Sequence, residues 1–381
     1  MDKRACRDAA RDWLRHTSAF QNAACPAAPP FLLAIVADPH LMKRILLIKI
    51  TSLGDMVHTL PLVHDLRRAY PGAKIDWVAD ASCADIPRWT VGIDRVIAPP
   101  LRQFKKNGKK WRDLRGILGA VRELRREPYD VAIDVHGVYK SAIVARLSRT
   151  RRRLGYAAEF LGESRAEFAY TELFGPHGDA DCRHKMRLVV ANALGYEIEP
   201  QETCELSIPK PAAPLAADGV PRAMLFHATS AEIKKWPQAN WIEVGHALSL
   251  RGYRVQLPWG SQQEHEEAKA LAAAIPGAEV LPRMSITECA QRVDAAALVV
   301  GMDTGFVHLA DALGKPTVMI FTATSRPHFG VNRPGQSISV GDNGVRPPVD
   351  EVLAAVAKVT GHGAGASQGL PRDCATGDVS A

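Results

Sequence analysis

The chain has no apolar run of the roughly 18–20 residues that a membrane-crossing helix requires. Its longest near the N-terminus, Phe31 to Ala37, is short even for a signal-peptide core and follows Pro29 and Pro30. It also lacks paired cysteines. The seven lie at 6, 25, 83, 182, 204, 289 and 374, an odd number with no Cys-x-x-Cys spacing. That argues against a disulfide framework or a structural zinc site and fits a reducing cytoplasm. Two nucleotide fingerprints are missing as well. No Gly-x-Gly-x-x-Gly follows the first strand, and no Gly-x-x-x-x-Gly-Lys is present, which disfavours a nicotinamide dehydrogenase or a P-loop enzyme. No His/Cys/Asp/Glu cluster has metal-ligand spacing, and no Ser-His-Asp elbow is visible.

What is present is a chain of 381 residues, comfortable for two domains, with 46% apolar and 23% charged residues. The net charge of +7 is concentrated in one place. Between Arg102 and Arg126 there are ten basic residues against only Asp113 and Glu123. Such a patch is either a solvated helix face or a site for an anionic partner: nucleic acid, a membrane surface, or a phosphorylated or carboxylated substrate. Only Phe104 and Trp111 supply aromatics there, which weighs against nucleic acid.

Residues 1–41 show no sustained period, and Met42 stands just before the first apolar strand, Ile45 to Ile50. The expectation is a non-core extension, disordered or the product of start-site choice. From Met42 onward, strand and helix signals alternate, which implies parallel sheets covered on both faces. Met56 to Arg68 reads as one helix, Ile75 to Val78 and Arg95 to Ala98 as strands, and Lys109 to Arg126 as a basic helix. Val131 to Val135 and Ser141 to Leu147 read as the next strand and helix. A Pro-rich stretch then suggests a linker. After it come strands at 223–227, 254–258, 279–281, 298–301 and 317–321. Helices are expected at 238–250, 262–274, 286–295, 305–313 and 349–359. The expected division is an N-terminal Rossmann-like domain at 42–205, a linker at 206–221, a C-terminal Rossmann-like domain at 222–360, and a disordered tail at 361–381. Ligands of open α/β sheets bind beyond the carboxyl ends of the strands, so both domains should present their loops to one cleft.

The loops supply the chemistry. Thr51-Ser52-Leu53-Gly54-Asp55 follows the first strand. Gly54 permits a sharp turn or a close approach, and Asp55 is either a helix N-cap or a general base. His227 to Pro237 contains Thr229, Ser230 and Lys234, a set that suits a diphosphate or merely a polar capped loop. Val300 to His308 ends a strand in Asp303-Thr304-Gly305 before a helix, where N–H groups and the dipole favour an anion. Asp303 can equally be a cap, and His308 a packed residue. Glu264, beyond Leu257-Pro258-Trp259-Gly260, can accept from ribose hydroxyls or simply favour a helix start. Lys140, in Asp134 to Ala142, is placed for an anion or for solvent.

Together and in this order, Ile45 to Pro61, Asp134 to Ala142, His227 to Pro237, Leu257 to Gly260 and Val300 to His308 resemble the lipopolysaccharide heptosyltransferase family (glycosyltransferase family 9). The similarity spans about 42 to 350 and is nearest to the type I branch. It implies a GT-B architecture, two Rossmann-like parallel-sheet domains facing a central cleft, with no cofactor and no metal. It implies inverting transfer of L-glycero-D-manno-heptose from ADP-heptose to a Kdo residue of Kdo-lipid A. Asp55 would then be the base. Thr229, Ser230 and Lys234 would hold the diphosphate, Glu264 the ribose and Asp303 the heptose. Thr304 and Gly305 would donate N–H groups to phosphate, with His308 nearby. Ser52, Gly54, Arg102, Lys105, Lys106 and Lys140 would face the acceptor. The enzyme would be a cytoplasmic monomer, peripheral on the anionic inner face of the inner membrane, with no nucleic-acid partner. Alternatives are a type II enzyme with a different acceptor, or a non-catalytic sugar-nucleotide or nucleic-acid binder. Thr322 to Ser325 replaces the family's more usual Gly-Pro-Thr-Asp, which leaves that loop's contacts open.

Overall fold

The computed structural model describes residues 42–361 except 107, 109, 176–180, 214, 216, 217 and 230. The expected N-terminal extension, and the tail beyond residue 361, lie outside the described residues.

β1 (Arg44–Ile48) is apolar from Ile45 onward because both of its faces are covered. Ile45 and Leu47 pack with Leu62, Leu66 and Trp77, while Leu46 and Ile48 pack with Leu124, Ala142 and Ala145 on the other side. It is central in a sheet with β2 (Lys74–Val78), β3 (Arg95–Ile97), β4 (Val131–Asp134), β5 (Arg152–Gly155) and β6 (Glu172–Leu173). The order is β3-β2-β1-β4-β5-β6 and every pairing is parallel.

The second sheet comprises β7 (Arg222–Phe226), β8 (Arg254–Leu257), β9 (Glu279–Val280), β10 (Leu298–Met302), β11 (Thr317–Phe321), β12 (Asn332–Arg333) and β13 (Ser337–Gly341). Its order is β12-β13-β11-β10-β7-β8-β9, with only the short β12 antiparallel. Each sheet reverses its direction of winding beside its first strand, between β1 and β4 and between β7 and β10. Ligands of doubly wound sheets bind at such crevices.

The expected helix over Met56 to Arg68 is instead two, α1 (Leu53–Val57) and α2 (Leu60–Ala69), with His58 and Thr59 between them. Pro61 has no N–H to give to the carbonyl of Val57, so the first helix cannot run on. The expected basic helix over Lys109 to Arg126 is present as α5 (Trp111–Leu124), and two short helices not read from the sequence precede it, α3 (Asp85–Trp89) and α4 (Leu101–Lys106). Gly108, at φ 69, turns the chain between α4 and α5. α6 (Tyr139–Leu147) begins two residues earlier than expected. In the second half, α8 (Gln238–Leu250), α9 (Gln262–Ala274) and α10 (Ile286–Ala295) match the expected ranges, α11 (Gly305–Ala312) stops one residue early, and α13 (Val349–Val359) closes the chain after the one-turn α12 (Arg326–Phe329).

The longest helix without a counterpart in the sequence reading is α7 (Cys182–Leu194), capped by Asp181, whose carboxylate accepts from the N–H groups of Arg183 and His184. It packs on α2 through a fully buried pair. Arg187 donates to both oxygens of Asp65, at 2.6 and 3.0 Å.

The two sheets belong to one compact unit. Leu309 of α11 and Ala290 of α10 sit in the same apolar cluster as Leu47 and Trp77, with Leu53 and Phe306 packed against it. At this seam Gly305 is required. A Cβ there would lie 2.4 Å from Leu53 Cδ2 and 2.7 Å from the Gly54 nitrogen. Gly54 itself has ordinary room for a Cβ, 3.5 Å from the nearest atom, so the close approach depends on Gly305.

Candidate functional site

Between the sheets lies a cleft of about 740 Å³. Its walls bring together Ser52, Gly54, Asp55, Thr229, Lys234, Glu264, Asp303, Thr304, Gly305 and His308, residues that the sequence spreads over two hundred and fifty positions. Ser230 lies outside the described residues. Arg102, Lys105, Lys106 and Lys140 do not line the cleft. They are exposed on the first lobe, and the charges of Lys140 and Arg102 act on His136 at the end of β4.

Asp55 is not the N-cap of α1. Ser52 holds that position, and Asp55 is three residues in. Its Oδ2 accepts from Thr51 Oγ1 at 2.6 Å and from Ser52 Oγ at 2.8 Å. Burial pushes its pKa up, but the Thr51 bond, the charge of Lys49 and the Ser52 bond outweigh it and hold the carboxyl below its ordinary value. Asp55 is therefore ionised at neutral pH, as a base must be before it takes a proton.

Lys49 was not singled out by the sequence reading. It ends the apolar strand, and its Nζ donates to the Val135 carbonyl at 2.8 Å. Burial lowers its pKa, opposed by the charges of Asp55, Cys182 and Asp134. The available signal was a lone cation inside the apolar run Ile48-Lys49-Ile50. Its charge is one of the causes that keep Asp55 ionised. Lys49→Met should therefore raise the pKa of Asp55 and move the acid limb of the kcat/KM profile to higher pH, since activity is lost as pH falls through the pKa of the base. An unmoved limb would remove Lys49 from this role.

On the opposite wall, Asp303 is not a cap either. Thr304 is the N-cap of α11, and the Asp303 carboxylate is held from several sides. His308 Nε2 lies 3.0 Å from Oδ1, Thr324 Oγ1 donates to Oδ2 at 2.8 Å, and Lys234 Nζ is 3.7 Å from Oδ2. Burial raises its pKa, and the His308 and Thr324 bonds together with the charges of His308 and Lys234 bring it below the usual value. The open contacts of the Thr322 to Ser325 loop are thereby resolved. Thr324 holds Asp303, and Thr322 Oγ1 donates to the Lys234 carbonyl at 2.7 Å, tying the loop after β11 to the loop after β7.

The first N–H groups of α11 have no acceptor within their own helix, and Thr304 and Gly305, at its start, line the cleft. Thr304 Oγ1 is buried with no partner among the described residues. Glu264 proves to be both a cap and a wall residue. Its Oε2 accepts from the N–H of Gly260 at 2.6 Å and of Ser261 at 3.2 Å. The sequence reading also missed an apolar wall of Phe226, Pro258, Trp259, Met284, Ile286 and Phe306. Trp259 is fixed there by a bond to the Leu281 carbonyl at 2.6 Å and by stacking on His265 at 4.2 Å.

An ionised carboxylate, Asp55, thus shares a cleft that has one apolar wall with the start of α11, Lys234 and a second carboxylate, Asp303. Residues 117–351 match the family described as Glycosyltransferase family 9 (heptosyltransferase). Lipopolysaccharide heptosyltransferase 1 of Pseudomonas aeruginosa is 36% identical over 295 residues, covering 74% of this chain and 79% of that one. Two solved structures share the fold. Escherichia coli heptosyltransferase WaaC with ADP has a TM-score of 0.71 at 29% identity, covering 81% of this chain and 98% of that one. The same enzyme with ADP-2-deoxy-2-fluoro heptose has a TM-score of 0.68 at 28% identity, covering 84% and 96%. The GT-B architecture, the cleft and these matches agree, and the chain belongs to glycosyltransferase family 9, the heptosyltransferases.

Proposed function

We propose that this chain transfers L-glycero-D-manno-heptose from ADP-heptose to a Kdo residue of Kdo-lipid A, by direct displacement with inversion and without a metal. The observation that carries this reading is the placing of Asp55 opposite Lys234, Asp303 and the start of α11 on the two walls of one cleft. The diphosphate would lie against the N–H groups of Thr304 and Gly305, with Thr229, Ser230 and Lys234. The nucleobase would lie on the apolar wall around Trp259 and Met284, with Glu264 toward the ribose and Asp303 toward the heptose hydroxyls.

In the step itself, the acceptor hydroxyl oxygen bonds to the anomeric carbon while Asp55 takes its proton. The bond from that carbon to the diphosphate oxygen breaks, and ADP leaves with the electron pair. Both hydrogen bonds to Asp55 come to Oδ2, so Oδ1 is the oxygen for the incoming hydroxyl. Charge growing on the diphosphate meets preformed donors and Lys234, which is where electrostatic stabilisation lowers a barrier.

The acceptor is anionic, and Arg102, Lys105, Lys106 and Lys140 are among the cations exposed on the acceptor lobe. The same patch would hold the enzyme, as a monomer, at an anionic cytoplasmic membrane face, where each nearby Lys or Arg contributes about 1 kcal/mol. Among the described residues no helix is long and apolar enough to cross a membrane.

The test is ADP release from ADP-heptose with and without Kdo-lipid A in anionic vesicles, at rising ionic strength. Acceptor-dependent release with one heptose added, weakening with salt, is expected. Release with a heptose-bearing acceptor alone would assign the type II reaction instead, and insensitivity to salt would remove the membrane patch.

A further inference from the structure

Behind Asp303 a line of polar side chains runs out of the cleft and into the other lobe. His308 Nε2 is 3.0 Å from Asp303 Oδ1. The opposite nitrogen of that ring, Nδ1, is 3.2 Å from Nε2 of His58, which lies between α1 and α2 in the first lobe. Nδ1 of His58 is in turn 3.4 Å from Cys182 Sγ, the first residue of α7. Both rings are buried, at 5% and 3% exposure. They meet edge to face at 4.3 Å, and Phe329 stacks on His58 at 6.0 Å. The transfer step uses neither His58 nor Cys182.

We propose that Cys182, His58 and His308 are positioning residues, each donating toward Asp303, which fix that carboxylate for the donor sugar through a chain of bonds spanning both lobes. The direction follows from the ends of the chain. Asp303 is a carboxylate and can only accept, so His308 carries a proton on Nε2, and its Nδ1 is the acceptor wherever His58 presents an N–H to it. At the other end, burial pushes the Cys182 thiol up to about 12, so it retains its proton and donates. Burial, with the charges of Arg183 and Lys49, pushes His58 well below its ordinary value, leaving one N–H on a neutral ring. With Nδ1 accepting from the thiol, that N–H is on Nε2 and points at His308.

Thr324 grips the second oxygen of Asp303, so the plane of the carboxylate is set by one bond at each oxygen. A ligand carboxylate held this way presents its remaining lone pairs in one direction, as outer partners do for groups that bind directly. His58 is the one member contributed by the gap between α1 and α2, which the break at Pro61 creates. If His58 loses its N–H, His308 Nδ1 becomes a buried acceptor without a donor, which is costly enough to turn the ring and release Asp303.

The argument for the sugar rests on the ADP-heptose reading, whereas the tautomers do not. The experiment therefore has two arms on the full chain. The first is nitrogen-15 NMR of histidine-labelled protein, with the His58 signals assigned by their loss in His58→Phe. Nε2–H on both rings is expected, and Nδ1–H on either ring overturns the chain whether or not the protein transfers heptose. The second compares the affinities of ADP and ADP-heptose by calorimetry. His58→Phe keeps the stacking on Phe329 but has no donor. It should weaken ADP-heptose about tenfold while ADP stays within about twofold, and His58→Gln, whose amide can donate to His308, should restore most of the loss. Parallel loss of both ligands, or loss of neither, overturns the positioning role. If His58→Phe does not fold, His58→Gln and the tautomers decide. A wild-type protein that binds ADP but not ADP-heptose would sink the donor reading alone.

Discussion

Asp55→Asn should lower kcat by about 10²–10⁴-fold, or roughly 3–5 kcal/mol of barrier, with little change in ADP affinity. A sugar hydroxyl is a poor nucleophile at neutral pH, and Asp55 is the carboxylate at the mouth of the β1 loop that is held ionised. Asn has nearly the same shape, and its amide oxygen can still accept from Thr51 and Ser52, so the loop should keep its form. What it cannot do is take a proton. ADP would lie on the other lobe, against α11 and Lys234, so its binding should report that the protein is intact. The check is steady-state kcat beside ADP titration. Turnover near the wild-type rate in a variant that binds ADP would exclude Asp55 as the base.

Asp65→Ala should be the most damaging substitution away from the cleft, lowering stability by about 3–5 kcal/mol. Arg187 and Asp65 are 1% and 0% exposed, and the guanidinium reaches both carboxylate oxygens. Removing the acid leaves a buried cation without its counter-charge, and the Glu199 carbonyl, which accepts from Nη2 at 2.8 Å, is a poor substitute. The pair pins α7 to α2, so Cys182 and the back of the cleft depend on it indirectly. Thermal unfolding should shift down by roughly 5–10 °C. Replacing both residues by Leu should recover much of that, because the cost lies in the unpaired charge rather than in the missing bond. A melting point unchanged in Asp65→Ala would show that Arg187 finds water or another partner.

Several elements were legible because their causes are local. Ile45 to Ile50 is an apolar run that only a doubly covered strand explains, and the structure buries every residue from Ile45 to Ile48. Gln262–Ala274 and Ile286–Ala295 were readable to the residue. Each opens with a Ser whose side chain and a Glu three positions on cap each other's backbone. The same logic misled at the loops. Asp55 and Asp303 both precede or enter helices, so each reads as a cap, but Asp55 is held by the hydroxyls of its own loop and Asp303 by side chains of other loops. α7 was missed because its apolar residues are interrupted by Arg183, Lys185 and Arg187, two of which are buried. A buried arginine looks like a surface one until its acid is found.

The sequence by itself determined the alternation of the main strands and helices, the loops that carry the candidate site, and the basic segment at 102–126. Those follow from periodicity and from residues within a few positions of one another. Only the tertiary structure decided that Lys49 sits behind Asp55, that Asp65 meets Arg187 122 residues away, and that His58 meets His308 across 250. Such contacts are made by sheet winding and lobe packing. They depend on which helix faces which, and no local pattern carries that information.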